Sequence, residues 1–438
     1  MNKYFLTLAL STLSVVCFAQ ATILPAKKQT KTIAITGATI HVGNGTVIEN
    51  GTIVFSNGKI ISVAANGQVP QDGATAIKAA GKHIYPGFIA PVTNLGLAEF
   101  ESVKATLDFQ ELGNMNPHIR SLIAYNTDSK VPATLRSNGI LMAQITPEGG
   151  TISGSSSVVQ LDAWNWEDAV IRTDDAQHVN WPVLPRFRGG GGGGRPGGGG
   201  AFNPEALQER RNAAIAELDA FFAEAKAYSD VKAEVTNTRL AAMKRVFDGS
   251  EKLFITANNQ KDIVAAVTFA KKYGITPVIV GGEEAYLVTD FLKDNNISVV
   301  IKQPHSLPSS LDDDVNMPYK NGAILANAGV NVVVSIEGYW QQRNLPFMAG
   351  TVSAWGLDKE KALSTITLNT AKVLGIDKTT GSLESGKDAT LFISAGDALD
   401  MKTNKVEQAF IQGRDINLDN LHKQLDRKFS EKYGLKVN

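Results

Sequence analysis

The most restrictive feature of this chain is an alternation. Short apolar runs, Ile140 to Ile145, Leu253 to Thr256, Pro277 to Val280, Ser298 to Ile301 and Val330 to Ser335, are separated by helical patterns such as Asp262 to Tyr273 and Tyr319 to Ala328. Gly274 and Gly329 stand directly after those helices, where a left-handed residue ends a helix at least steric cost. Strands alternating with helices predict a parallel sheet, because only a crossover returns the chain to the same end of the next strand. The pattern alone leaves an open sheet and a closed barrel equally available.

Both ends of the chain have a different texture. Thr32 to Thr36, Ala38 to Val42, Gly51 to Phe55 and Lys59 to Val63 are β-branched and aromatic runs, and Asn57-Gly58 is a dipeptide suited to a tight hairpin. Ala389 to Ser394 and Val406 to Ile411 repeat that style, with Gly413 at a turn. A length of 438 residues is long for one core, so two structural units are expected.

Charge excludes some partners. Lys plus Arg and Asp plus Glu each number 43, so the whole chain offers no basic surface for nucleic acid or anionic membrane. Met1-Asn2-Lys3, the apolar run Tyr4 to Phe18 and small residues at Ala19 and Ala21 have the form of an export signal over residues 1–21, and the run is too short for a membrane span. The expectation is a periplasmic or secreted protein. Its single cysteine, Cys17, leaves with the signal, which removes disulfides, cysteine nucleophiles and cysteine-bound zinc.

The stretch Ile84-Tyr85-Pro86-Gly87-Phe88-Ile89-Ala90-Pro91-Val92-Thr93-Asn94-Leu95-Gly96-Leu97 reads as a short strand ending on a loop. It resembles the first barrel strand of the amidohydrolase superfamily of metal-dependent hydrolases, whose pattern is Pro-Gly-Phe-Ile-Asp-x-His-x-His. Pro86, Gly87, Phe88 and Ile89 match it. Gly381-Ser382-Leu383-Glu384-Ser385-Gly386-Lys387-Asp388-Ala389 resembles the family's C-terminal signature. Thr146 to Gly154 and Arg343 to Phe347 resemble segments of its imidazolonepropionase-like branch. The resemblance implies an α/β fold, a TIM-like (β/α)8 barrel over residues 86–375 with a small β-sandwich built from residues 22–85 and 376–416, and a C-terminal helix in 417–438. It also implies zinc and the hydrolysis of carbon–nitrogen bonds.

The chemistry does not follow the resemblance. Where the family places two histidines, two apart so that both imidazoles reach one metal, this chain has Val92 and Asn94, and Ala90 stands at the aspartate position. Leu253 to Asn258 resembles the fifth strand with Thr256 at the histidine position, and Pro277 to Gly282 resembles the sixth without a histidine. Val332 to Gly338 resembles the eighth, with Glu337 at or beside the aspartate that serves as base and ligand. Among His41, His83, His118, His178, His305 and His422 no pair has the spacing that sets two imidazoles on one face. The expectation is therefore no metal cofactor.

Two candidates remain for catalysis. Glu337, backed by Tyr339 and Trp340, is a general base if it is desolvated; otherwise it is a loop carboxylate that caps a helix or pairs with Arg343. His305 follows a strand, in Gln303 to Pro308. A mononuclear site from these two needs a third ligand. Asn94, Thr256 and Arg343 are the candidate substrate-binding residues. A base without an electrophile performs only part of amide hydrolysis. The expected protein is thus a hydrolase of carbon–nitrogen bonds with reduced or metal-independent activity, or else a non-catalytic ligand-binding protein or partner subunit, homo-oligomeric or joined to a metal-bearing relative. The glycine-arginine insertion over residues 186–201 is expected to be a surface loop rather than a nucleic-acid binder. Asn203-Pro204 then begins a helix to about Ala227, and a second helical pattern covers Lys232 to Phe247.

Overall fold

The computed structural model describes residues 23–67, 73–184, 203–231, 234–308 and 312–435. The expected export signal and the glycine-rich insertion lie outside them.

Among these residues, strands assemble into two eight-stranded sheets. In chain order they are β1 (Ile33–His41), β2 (Val47–Ser56), β3 (Lys59–Ala65), β4 (Thr75–Lys78) and β5 (His83–Pro86). Next come β6 (Phe88–Thr93), β7 (Ile140–Ile145), β8 (Ile152–Gln160), β9 (Val170–Asn180), β10 (Lys252–Ala257), β11 (Val278–Gly281), β12 (Ser298–Ile301) and β13 (Val332–Val334). The last are β14 (Leu391–Ser394), β15 (Val406–Ile411) and β16 (Arg414–Asp415).

The first sheet joins the two chain ends. Its order is β16-β15-β14-β5-β1-β2-β3, with β4 also on β1, and the seam is the antiparallel pair β5 and β14. Asn57 and Gly58 take φ of 50° and 78° in the turn between β2 and β3, the left-handed pair a two-residue hairpin requires. Ile35, Ile53, Phe55, Ile84 and Phe410 form part of its core. The two expected strands around Gly37 are one strand, β1, which continues through an irregularity in its register at that glycine.

Gly87 hands the chain from this sheet to the second. A Cβ there would lie 2.9 Å from both Leu141 Cδ1 and Thr390 Cγ2, so only glycine allows the close approach. The second sheet runs in order from β6 to β13. It closes without a β6–β13 ladder. Val334 N donates to Thr365 O at 3.1 Å and Ile89 N to Ile366 O at 2.9 Å, so residues 365–366 fill the gap. Ser335 Oγ also reaches Pro91 O at 2.7 Å. The result is the expected α/β barrel with a second sheet beside it.

One strand departs from the expected parallel order. β8 is antiparallel to both β7 and β9. The reason lies in the connection: residues 146–151 form a glycine-containing turn with no helix, and a strand that returns through a short turn must run antiparallel. The Lys232 to Phe247 pattern is likewise split into two short helices, Thr238–Ala242 and Lys244–Phe247, the first capped by the Asn237 side chain on the amides of Arg239 and Leu240. The helix Pro204–Ser229 starts on its Asn203 cap with proline in the first turn and buries Leu218, Phe222 and Ala225. Outside the barrel, buried Asp162 accepts from Ala26 N at 2.9 Å, Arg136 Nη1 at 2.6 Å and Arg414 Nη1 at 3.0 Å, which ties the described N-terminal segment and β16 to one point.

Candidate functional site

The barrel interior is layered. Ile89, Met142, Val158, Ala176, Phe254, Val300 and Val333 share one apolar cluster, closed by Ala371, Val373, Leu374 and Ile376. Side chains alternate faces along a strand, so the next inward position toward the mouth is two residues on. That step gives Gln144, His178, Thr256, Lys302 and Ser335, and on the reversed strand β8 it gives Ser156. A polar layer therefore stands above an apolar one.

Gln144, Ser156 and Asp175 are fully buried, and His178 is 6% exposed. Val92 sits at the register irregularity between Ala90 and Thr93 with a φ of 50°, and its N–H donates to Gln144 Oε1 at 3.0 Å. Gln144 Nε2 donates to Asp175 Oδ2 at 2.8 Å and to Ser156 Oγ at 3.1 Å. Ser156 Oγ donates to Asp175 Oδ1 at 2.9 Å, and His178 Nε2 lies 2.9 Å from Ser156 Oγ. With the single hydroxyl hydrogen spent on the carboxylate, the network assigns the proton of His178 to Nε2. Burial raises Asp175 to about 6 against the hydrogen bonds from Ser156 and Gln144. Burial, then the nearby charge of Lys302, lowers His178 to about 3.

Above this layer a cavity of about 740 Å³ opens at the C-terminal ends of β10 to β13. Thr256, Asn258, Gly281, Lys302, Asn321 and Glu337 line it, with Ile301, Leu307 and Met317 supplying apolar surface. Lys302 Nζ stands 3.9 Å from Glu337 Oε1, with side-chain exposures of 28% and 63%.

The sequence candidates are thus divided. Thr256 and Glu337 meet on the cavity. Glu337 is not desolvated as a buried base requires, and its partner is Lys302 rather than Arg343. Arg343 instead donates to Trp340 O at 3.2 Å and is not among the lining residues. His305 is exposed, its Nε2 2.6 Å from Thr351 Oγ1 and its ring 5.5 Å from that of Tyr319; it too lies outside the lining. Asn94 is half-buried beyond the end of β6 and does not line the cavity. Lys302, Asn321, Gln144, Ser156 and Asp175 were not singled out from the sequence. The alternation along β7, β9 and β12 carried a signal for Gln144, His178 and Lys302; β8 gave none until its direction was known.

Zinc, which the resemblance implies, was tested against the donors present. Val92 and Asn94 bring no imidazole, Thr256 brings a hydroxyl, and the one interior histidine is engaged with Ser156. Among the described residues no group of three or more His, Cys, Asp or Glu side chains is arranged to hold a metal ion. These residues do not fit the family's metal centre.

Comparison with known proteins places the fold. A model of the amidohydrolase family matches residues 319–416. A stretch of 117 residues is 32% identical to the amidohydrolase tasK of Hapsidospora irregularis, covering 24% of this chain and 12% of that protein. Another of 173 residues is 24% identical to an imidazolonepropionase of Flavobacterium psychrophilum, covering 33% of this chain and 42% of that protein. The matched stretches span less than half the length of either relative. The crystal structure of an amidohydrolase from Thermotoga maritima superposes with a TM-score of 0.75 at 22% identity, over 88% of this chain and 99% of that one. The composite sheet and the barrel thus give this chain the fold of that amidohydrolase, and residues 319–416 match the amidohydrolase family's model.

Proposed function

We propose that this chain is an exported, periplasmic or secreted, member of the superfamily that binds a small molecule at the barrel mouth without a metal cofactor. Any hydrolysis of carbon–nitrogen bonds is on this reading reduced or metal-independent. The observation that supports it is the buried network from the Val92 amide through Gln144 to Asp175, Ser156 and His178. It starts at Val92, one of the positions where the family places a metal-binding histidine, and it satisfies its polar groups internally. A cavity of about 740 Å³ stays open directly above. Glu337 and Lys302 lie on its wall, a carboxylate and a cation within reach of one bound molecule.

The test is elemental analysis of purified protein together with a thermal-shift and turnover screen against cyclic amides and small dipeptides. The expected result is zinc far below one equivalent, a ligand that raises the melting temperature and slow or no turnover. Stoichiometric zinc with rapid turnover abolished in Glu337→Gln would overturn the proposal.

A further inference from the structure

We propose that the C-terminal helix Leu421–Tyr433, together with the segment that opens the described chain, is a docking face for an anionic lipid surface. The face lies apart from the cavity at the barrel mouth, and the inference does not depend on what that cavity binds.

The helix has clear ends. The Asn420 side chain accepts from Lys423 N at 3.0 Å, and Gly434 closes the last turn at a φ of 63°. Of its 13 residues only Ser430 is buried. Helices shorter than about 12–15 residues are marginal in water without packing, so an apolar cover would stabilise this one. Leu421, Leu425, Phe429 and Tyr433 recur every fourth residue and form one stripe, each between 39% and 64% exposed. The row on one side of the stripe turns toward the body, with Ser430 buried and the His422 ring 5.6 Å from that of Trp340. The row on the other side, Gln424, Lys428 and Lys432, is basic. Lys428 Nζ stands 5.8 Å from the centroid of the Phe429 ring and Lys432 Nζ 5.2 Å from that of Tyr433. Both stems therefore run along apolar surface and hold their charge at its edge.

The start of the described chain meets the same stripe. Ile23, Leu24, Trp164, Leu421, Leu425 and Lys428 line one groove of about 610 Å³, and Leu24 and Trp164 are exposed. The apolar run Tyr4 to Phe18, read as an export signal, joins the molecule at this face, a few residues before Ile23. Charge decides which surface fits. The whole chain is balanced, but on the helix Lys423, Arg427, Lys428 and Lys432 outnumber Asp426 and Glu431. A basic amphipathic helix with leucine and aromatic side chains on its apolar face lies in the interface of an anionic bilayer, where each base near the surface tightens binding roughly fivefold. An antiparallel second copy would instead bring the Lys428–Lys432 rows of both chains to one side of the contact, like charge beside like charge.

Vesicle co-sedimentation tests the contact on the chain without residues 1–21, whose apolar run would insert by itself; both sheets lie after Ile23. The probes are vesicles of phosphatidylcholine alone and of phosphatidylcholine mixed with phosphatidylglycerol. Binding to the mixed vesicles should be at least about tenfold tighter and should weaken as salt is added. Lys428→Gln/Lys432→Gln should weaken it by about tenfold or more and leave binding to the neutral vesicles unchanged. Leu425→Glu/Phe429→Glu should abolish binding to both. Thermal melting checks that each variant is folded, and the exposed lysine pair carries the test if the glutamate pair is not. Equal binding to the two kinds of vesicle, binding to neither, or unaltered binding in the folded lysine variant overturns the inference. A chain that dimerises through the stripe and leaves vesicles untouched overturns it as well.

Discussion

The amide of Val92 donates to the side chain of Gln144 across 3.0 Å, from a backbone φ of 50° that a β-branched residue rarely adopts. Holding valine there costs on the order of 1–3 kcal/mol. The surrounding network over-determines that conformation, since Gln144 also donates to Asp175 and Ser156. Gln144→Leu leaves the Val92 N–H unpaired and removes one donor from the buried carboxylate. We expect a loss of roughly 2–4 kcal/mol in urea unfolding. A loss below about 0.5 kcal/mol, within the range of an ordinary surface substitution, would show that the network does not hold the barrel centre.

Restoring the missing histidines should not restore the metal. In Val92→His/Asn94→His the pair returns, but Thr256 and the engaged His178 still provide no further free imidazole, and Gln144 and Ser156 still occupy the interior. Zinc measured after dialysis should stay well below one equivalent. Tight stoichiometric zinc in the double variant would mean that the donor set is deficient only at the first strand.

The interior histidine makes stability depend on pH. Burial and the charge of Lys302 hold His178 at about 3 in the fold, below its ordinary 6.5. A depressed folded value means that its contribution is present above pH 6.5 and is lost as pH falls toward 3. Asp175, raised by burial from 3.8 to about 6, acts oppositely: its contribution is present below pH 3.8 and lost as pH rises through 6. His178→Gln keeps a donor for Ser156 and removes only the first effect. The stability advantage of wild type over this variant should therefore shrink between pH 7 and 4.5 in urea titrations. Parallel profiles would show that His178 is not held neutral.

Asp162 is buried at the meeting point of Arg136, Arg414 and the Ala26 amide, with side-chain exposures of 1%, 7% and 12% for the aspartate and the two arginines. Asp162→Asn leaves the Arg136 guanidinium buried without its counter-charge. We expect a loss of about 3–5 kcal/mol, read as a lowered melting temperature. A stability change under about 1 kcal/mol would mean that solvent reaches the cluster.

Much of the frame was legible in the chain. Phe88 and Ile89 begin the barrel sheet directly after Gly87, which passes so close to Leu141 and Thr390 that only a residue without a side chain fits. Asn57-Gly58 announced its hairpin through the same left-handed geometry. The antiparallel β8 was not legible although the glycines at 149 and 150 were visible, because a run of apolar and small residues carries no sign of which way it pairs. Glu337 and Thr256 were placed at strand ends from the resemblance, and both line the cavity.

The amino-acid order by itself determined most of the elements and the absence of imidazoles at Val92, Asn94 and Thr256. Those are properties of residue type and spacing, and they act over a few residues. The tertiary structure decided which polar groups fill the barrel centre beside Val92. Gln144, Ser156, Asp175 and His178 come from three strands, and hydrogen bonds of about 3 Å among buried groups exist only once the barrel has closed around them. The same closure sets Lys302 and Asn321 on one cavity, a relationship that depends on strand register and not on any local signal.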